Sequence, residues 1–384
     1  LADLFPQDIH RIIFIEDIWI NQFISRISRY VPRRLSGATI GLLTQLITQF
    51  RQRSILRELI DNQAIDVIHQ PIPISPRLPS ALFGLGVPVV IGPLNGGMEY
   101  PPAFRNNESR LSRTVLAFLR LFANAGNTLI PGKKHADVIL VANQRTRHAL
   151  PSGIRGTVLQ LEENGIDVAL WHHASESLDR PAPLFVFVGR LVDWKALDIV
   201  IRALARVPSA ELEVVGDGPM LATWTTLADE LGLSGRVKFI GRLNQPEYAA
   251  RLRSAVALVL PSLYESGGAV VLEAMATGKP VIATCWGGPA DYLDPSCGIL
   301  VEPDSYPGLV AGFAEAMEKL IDSPELAKSM GTAGRERAVR DFDWQRRIDR
   351  VIGIYRTLVE KSNVSQQLNT KYVSTAAVSE HHGA

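Results

Sequence analysis

In the second half of the chain, short apolar runs alternate with segments of helical period. Phe185–Val188, Leu212–Val215, Val237–Ile240, Val256–Leu260 and Val281–Thr284 each read as a strand apolar on both faces. Between them, Leu197–Arg206, Met220–Leu231, Pro246–Arg253 and Ala269–Thr277 read as helices, and Gly278 is a helix stop. This alternation predicts a parallel sheet wrapped by helices. Ligands of such sheets bind beyond the carboxyl ends of the strands. The loops after Val188, Val215, Ile240 and Leu260 should therefore form one rim. The first half is less regular. Asp66–Gln70, Val87–Gly92, Val138–Ala142 and Val158–Leu161 read as strands, and residues 40–60 as an amphipathic helix. The expectation is α/β, with one domain over 1–173 and a second over 184–340. A polar, Pro-containing linker over 174–183 joins them. A helix over 341–361 returns toward the first domain, and 362–384 reads as a disordered tail.

One stretch adds chemistry to this pattern. Pro261-Ser262-Leu263-Tyr264-Glu265-Ser266-Gly267-Gly268-Ala269-Val270-Val271-Leu272-Glu273 reads as a strand end, a polar loop, two glycines and a helix. Gly267 and Gly268 expose backbone N–H groups at a helix start, where the dipole favours an anion. The donors are those of Ser266 to Val270. Glu265 stands in the loop, and Glu273, eight residues on, about one turn into the helix. An anion site beside two hydroxyl-accepting carboxylates describes a sugar nucleotide.

Composition narrows the setting. At 384 residues there is room for two cores. Cys285 and Cys297 are too few for a disulfide framework and fit a reducing cytosol. No apolar run is long enough to span a bilayer, and no signal peptide is visible. The net charge of +1 hides an asymmetry, because residues 1–150 carry seven more basic than acidic groups. Ile18 to Arg57 holds seven arginines and no acid, with Trp19, Phe23 and Tyr30 among them. Such a segment suits an anionic membrane surface better than nucleic acid, with a solvated helix face close behind.

The other rim loops carry weaker signals. Gly189-Arg190 and Lys195 put two cations after Val188, though either alone reads equally as a solvated charge. Gly216-Asp217-Gly218 is by itself a turn. Gly241-Arg242-Leu243 is a binding loop or a plain connection. Asp291, after Gly287-Gly288, reads as a helix cap without further function. His69, ending its strand, is structural or catalytic, and Asn95 with two glycines follows the next strand. Asp341-Phe342-Asp343 mimics a metal-binding string but sits where aspartates cap helices, so no metal site is expected.

The ordered set Asn164-Gly165, Gly189-Arg190, Lys195, Gly216-x-Gly218, Gly241-Arg242 and Glu265-x7-Glu273 resembles the family 4-type retaining glycosyltransferases. The resemblance runs from about Asp66 to Glu360. It implies the GT-B fold, two Rossmann-like domains facing across a cleft. It implies that Arg190 and Lys195 hold the donor diphosphate. Gly189, Gly216 and Gly218 line the donor pocket, and Gly241, Arg242 and Leu243 meet the base. Glu265 binds the transferred sugar and Glu273 the ribose. The candidate catalytic set is Arg190, Lys195 and Glu265 from the resemblance, with His69 added from its place at a strand end. No cofactor is implied beyond the UDP- or GDP-sugar donor, and the acceptor is a glycan or lipid-linked sugar of surface polysaccharide synthesis. A cytoplasmic enzyme, peripheral on the membrane, follows. Ala196 stands where the family usually has glycine. The family opens with a strand and Gly-rich loop that nothing before Asp66 matches, so a beginning on the order of 60 residues is expected to be missing. The competing expectations are a non-catalytic nucleotide-sugar binder and a sugar-nucleotide epimerase.

Overall fold

The computed structural model describes residues 6–15, 33–107, 123–171 and 182–379. Residues 16–32, and with them Trp19, Phe23 and Tyr30 of the Arg-rich segment, lie outside them, as does most of the expected linker.

The amino-terminal domain holds a parallel sheet in the order β1 (Ile68–Gln70), β2 (Val89–Leu94), β3 (Val138–Val141), β4 (Thr157–Gln160). Side chains alternate between its faces. Ile68, Val89, Ile91, Ile139 and Val141 point one way, toward Leu56 and Ile60 of helix α1 (Arg33–Asp61). Val90, Val138 and Leu140 point the other way. Two short helices follow, α2 (Gly132–His135) and α3 (Gln144–His148).

The carboxyl-terminal sheet is also parallel. Its strands are β5 (Leu184–Val188), β6 (Glu211–Val215), β7 (Val237–Gly241), β8 (Ala257–Leu260), β9 (Val281–Thr284) and β10 (Gly298–Val301), in the order β10-β9-β8-β5-β6-β7. Five of these strands were legible in the sequence, within a residue at most ends. The sixth, β10, is short and lies at the sheet edge, and its Ile299 and Leu300 are only half-buried. Right-handed crossovers put α4 (Leu197–Leu204) and α5 (Leu221–Glu230) on one face. They put α6 (Gln245–Ser254), α7 (Ala269–Ala276) and α8 (Gly288–Tyr292) on the other. The helices α9 (Tyr306–Asp322) and α10 (Pro324–Phe342) pack on α4 and α7 respectively.

The long helix α11 (Trp344–Ser379) follows. Asp343 caps it by accepting from the Gln345 and Arg346 N–H groups at 2.7 and 3.1 Å. Val351, Ile354, Tyr355 and Leu358 then cover the second face of the amino-terminal sheet. The helix runs on to Ser379, where a disordered tail from 362 was expected. Residues 362–379 lack an apolar stripe, so periodicity misses them. They also lack glycine and proline, so nothing stops the helix. Among the described residues, no helix is long and apolar enough to cross a membrane.

The chain passes between the domains twice, and the passages touch. The Ile166 N–H donates to Phe342 O at 2.8 Å, and the Trp344 N–H to Ile166 O at 3.1 Å. The Gly165 Cα packs on the Trp344 ring so closely that a side chain there would overlap it.

Candidate donor site at the carboxyl-terminal rim

The rim loops interlock before any ligand is considered. Leu191 N–H donates to Asp217 O, Met220 N–H to Leu191 O, and Gly216 N–H to Gly241 O, at 2.8 to 3.0 Å. A side chain at Gly216 would overlap the Gly189 carbonyl, and one at Gly218 the Leu191 carbonyl. These glycines are thus demanded by backbone packing between loops. Gly241 closes β7 beyond a register shift. Arg242 is exposed, 3.8 Å from Asp217, with Leu243 half-buried beside it.

Past β5, Arg190 is exposed, while Lys195 ends a 3-10 turn and forms an ion pair with Glu265. Their side chains keep only 14% and 15% exposure. Such a pair is partly desolvated, and loss of one partner leaves the other charge buried and unmatched. The structure thus brings Lys195 and Glu265 together, seventy residues apart in sequence. Gly267 and Gly268 follow, and α7 opens at Ala269 and Val270 with its first N–H groups toward this loop.

Glu273 lies further along α7, hydrogen-bonded to Tyr248 of α6. Burial pushes its carboxyl above the usual range, and the tyrosine bond offsets part of this. The Tyr248 ring packs on buried Trp171 at 4.9 Å. Nothing in the sequence marked Tyr248 as a partner of Glu273.

The amino-terminal domain reaches into this rim. Asn95, buried after β2, donates from Nδ2 to Glu163 and, at 3.1 Å, to Ser266 O. The Glu163 carboxylate and Asn164 amide crowd Gly267, where a side chain would overlap both. Burial raises the Glu163 carboxyl, while the Asn95 bond and the Arg347 charge oppose it. Trp286 Nε1 donates to Glu99 O at 2.7 Å, and Tyr100 stacks near Tyr264 at 5.3 Å. Asp291 corrects its expectation as a mere cap. It takes a two-pronged bond from Arg145, at 2.8 and 3.2 Å, and one from Asn143 at 3.0 Å, across the cleft. Asn95 and Asn164 stand in stretches singled out from the sequence, but no local signal linked them to Glu163.

His69 stands on β1 of the amino-terminal sheet. Its ring nitrogens meet the Tyr355 hydroxyl of α11 and the Gly92 carbonyl, and burial lowers its pKa. Both nitrogens are engaged there.

Residues 172–337 match the family model described as glycosyl transferases group 1. The carboxyl-terminal domain is a group 1 glycosyltransferase domain. A glycogen synthase of Mycobacterium tuberculosis is 34% identical over 187 residues, which is 47% of this chain and 44% of that protein. A D-inositol 3-phosphate glycosyltransferase of Mycobacterium avium is 34% identical over 184 residues, 46% and 42% of the two chains. The chain thus matches less than half the length of these relatives. Among solved structures, sucrose-phosphate synthase from Thermosynechococcus elongatus aligns at TM-score 0.63 and 22% identity, over 82% of this chain and 79% of that one. Anabaena HepE, solved with UDP, aligns at 0.63 and 18%, over 82% and 84%. The fold is GT-B, and the group 1 domain supplies every rim loop described above except those around Asn95, Arg145 and Glu163.

Proposed function

We propose that this chain moves a sugar from a nucleotide-sugar donor to a glycan or lipid-linked acceptor. The observation that carries the reading is the Lys195–Glu265 pair beside Gly267-Gly268 at the start of α7, within the group 1 domain. The UDP with which Anabaena HepE was solved supports a nucleotide donor. In the reaction, the bond from the sugar C1 to the diphosphate oxygen breaks with its electron pair staying on oxygen. A new bond forms from C1 to the acceptor hydroxyl oxygen, and the hydroxyl proton passes to the departing diphosphate. Negative charge grows on that diphosphate. Arg190, Lys195 and the N–H groups of Gly268, Ala269 and Val270 are the groups to meet it. Lys195 would then share itself between Glu265 and phosphate, which turns the carboxylate toward the sugar hydroxyls. Glu273 and Tyr248 would bind ribose, and Gly241, Arg242 and Leu243 the base. Transfer with retention, without a metal, at the cytoplasmic face of a membrane for surface polysaccharide, completes the proposal. Arg190 and Lys195 at the rim would meet the charge that a metal ion otherwise meets, which supports its metal-independent part.

Titration with UDP, GDP and ADP, followed by incubation with labelled donors, tests this. Binding of one nucleotide and transfer of label to acceptor are expected. Arg190→Ala should then lower kcat by roughly 10²–10³, equivalent to about 2–4 kcal/mol. Near-normal turnover in that variant would remove Arg190 from the site, and absence of nucleotide binding would sink the donor assignment.

A further inference from the structure

The loop Ser266-Gly267-Gly268 is wedged between two walls. On one side stands the start of α8. Gly288 N–H donates to Glu265 O at 2.8 Å, and a side chain at Gly288 would overlap the Gly267 carbonyl. On the other side stand Asn95, Glu163 and Asn164. Asn95 Nδ2 donates to Glu163 Oε1 and, at 3.1 Å, to Ser266 O, while its own Oδ1 is buried without a hydrogen-bond partner. Turning this amide over would leave both acceptors unmatched, so they dictate its orientation. Asn164 Nδ2 donates to the Tyr292 hydroxyl at 3.1 Å and to Glu163 Oε1 at 3.4 Å. One carboxylate oxygen thus gathers two amides against Gly267.

An acid at this place calls for a reason, because its charge opposes an anion at the start of α7. Neutralising Arg347 is not that reason. Arg347 is bonded to Glu162 instead, at the backbone carbonyl and, at 2.8 Å, at the carboxylate. The charges that face Glu163 are this arginine on α11 and Asp291 on α8, and they act in opposite directions on its carboxyl. Glu163 also stands three residues before Ile166, whose backbone is bonded to Phe342 and Trp344. The crossing between the domains therefore fixes where the carboxylate lies.

We propose that Glu163 is a positioning residue for the donor diphosphate. Through Asn95 and Asn164 it holds Ser266 and Gly267 so that the N–H groups opening α7 face the phosphates. This role rests on the donor assignment above and adds to it a residue outside the group 1 domain. Position and charge predict opposite signs. Acting by charge alone, Glu163 would weaken diphosphate binding, so Glu163→Ala and Glu163→Gln would both strengthen it. Acting as the acceptor that orders the loop, it is missed in Glu163→Ala and replaced in Glu163→Gln, which keeps an oxygen at the same place.

Calorimetric titration of UDP, GDP and ADP, each beside its parent nucleoside, into the full chain and its variants tests this. Glu163→Ala should lower affinity for the diphosphate that binds roughly tenfold, and Asn95→Ala similarly. Affinity for the parent nucleoside, which checks that the site is folded, should stay within about twofold. Glu163→Gln should bind the diphosphate at least as well as the unaltered chain. The double alanine variant should lose no more than either single one, because both changes break the same relay. Diphosphate binding unchanged or strengthened in Glu163→Ala overturns the role, as do equal losses for nucleoside and diphosphate, a glutamine variant as weak as alanine, or additive losses. In each of these cases the donor assignment stands. If the unaltered chain binds none of the three diphosphates, the donor assignment falls and this role with it.

Discussion

Lys195 and Glu265 show how one contact can serve two states. In this structure each neutralises the other inside the rim. A bound diphosphate would compete for Lys195 and free Glu265 to accept sugar hydroxyls. Lys195→Ala should therefore reduce kcat by roughly 10²–10³. A double-mutant cycle with Glu265→Gln should give a combined loss well short of additive, because each change already breaks the same pair. Additive losses would show that the two act independently. Lys133 gives a second residue-scale prediction, about stability. The residue is 1% exposed, its ammonium donates to Ser75 O at 2.6 Å, and burial lowers its pKa from 10.5 to about 7. Between those values the unfolded chain binds the extra proton and the folded chain does not. Folding stability should rise with pH from about 7 toward 10.5, as far as this group is concerned, and fall as pH drops back toward 7. Lys133→Met should flatten that slope in denaturant titrations across the window. An unchanged slope would mean that the lysine keeps its charge in the fold.

Among elements, α11 covers the face of the amino-terminal sheet opposite α1. Val90, Val138 and Leu140 would face water if Val351, Ile354, Tyr355 and Leu358 were withdrawn. Leu358→Ala should cost about 1–3 kcal/mol, below the full range for a core leucine because its side chain is only half-buried. Urea unfolding of the amino-terminal domain measures this, and a cost within error of zero would show that α11 does not hold that face. The same element marks where sequence reading succeeds and stops. Continuous apolar strands such as Phe185–Val188 are legible because burial on both faces leaves little choice of residue. The loops after them are legible because cations and glycines concentrate at strand ends. Strand β10, half-exposed at an edge, and α9 and α10, whose apolar stripes carry no chemistry, gave weaker signals. The candidate site was half visible. Lys195, Glu265, Gly267 and Gly268 stand in one motif or beside one strand. The bonds of Asn95 to Ser266, Arg145 to Asp291 and Glu273 to Tyr248 join positions far apart in the chain, and only the fold brings them together.

At the scale of the molecule, the two domains are pinned across their cleft at several points. The Arg145–Asp291 pair is the most polar of these, half-buried and two-pronged. Burial raises the Asp291 carboxyl despite the arginine beside it. Arg145→Ala should leave each domain folded and shift the molecule toward an open form. Small-angle scattering would read this as a larger radius of gyration, and steady-state kinetics as a higher donor KM. No change in either would make the pair incidental to closure.

The contact between the two chain passages, Ile166 with Phe342 and Trp344, adds one consequence. Both covalent routes between the domains are laced to each other at a single place. Relative motion therefore has a spine, about which the halves turn like the covers of a book, and sliding of one past the other would tear that lacing.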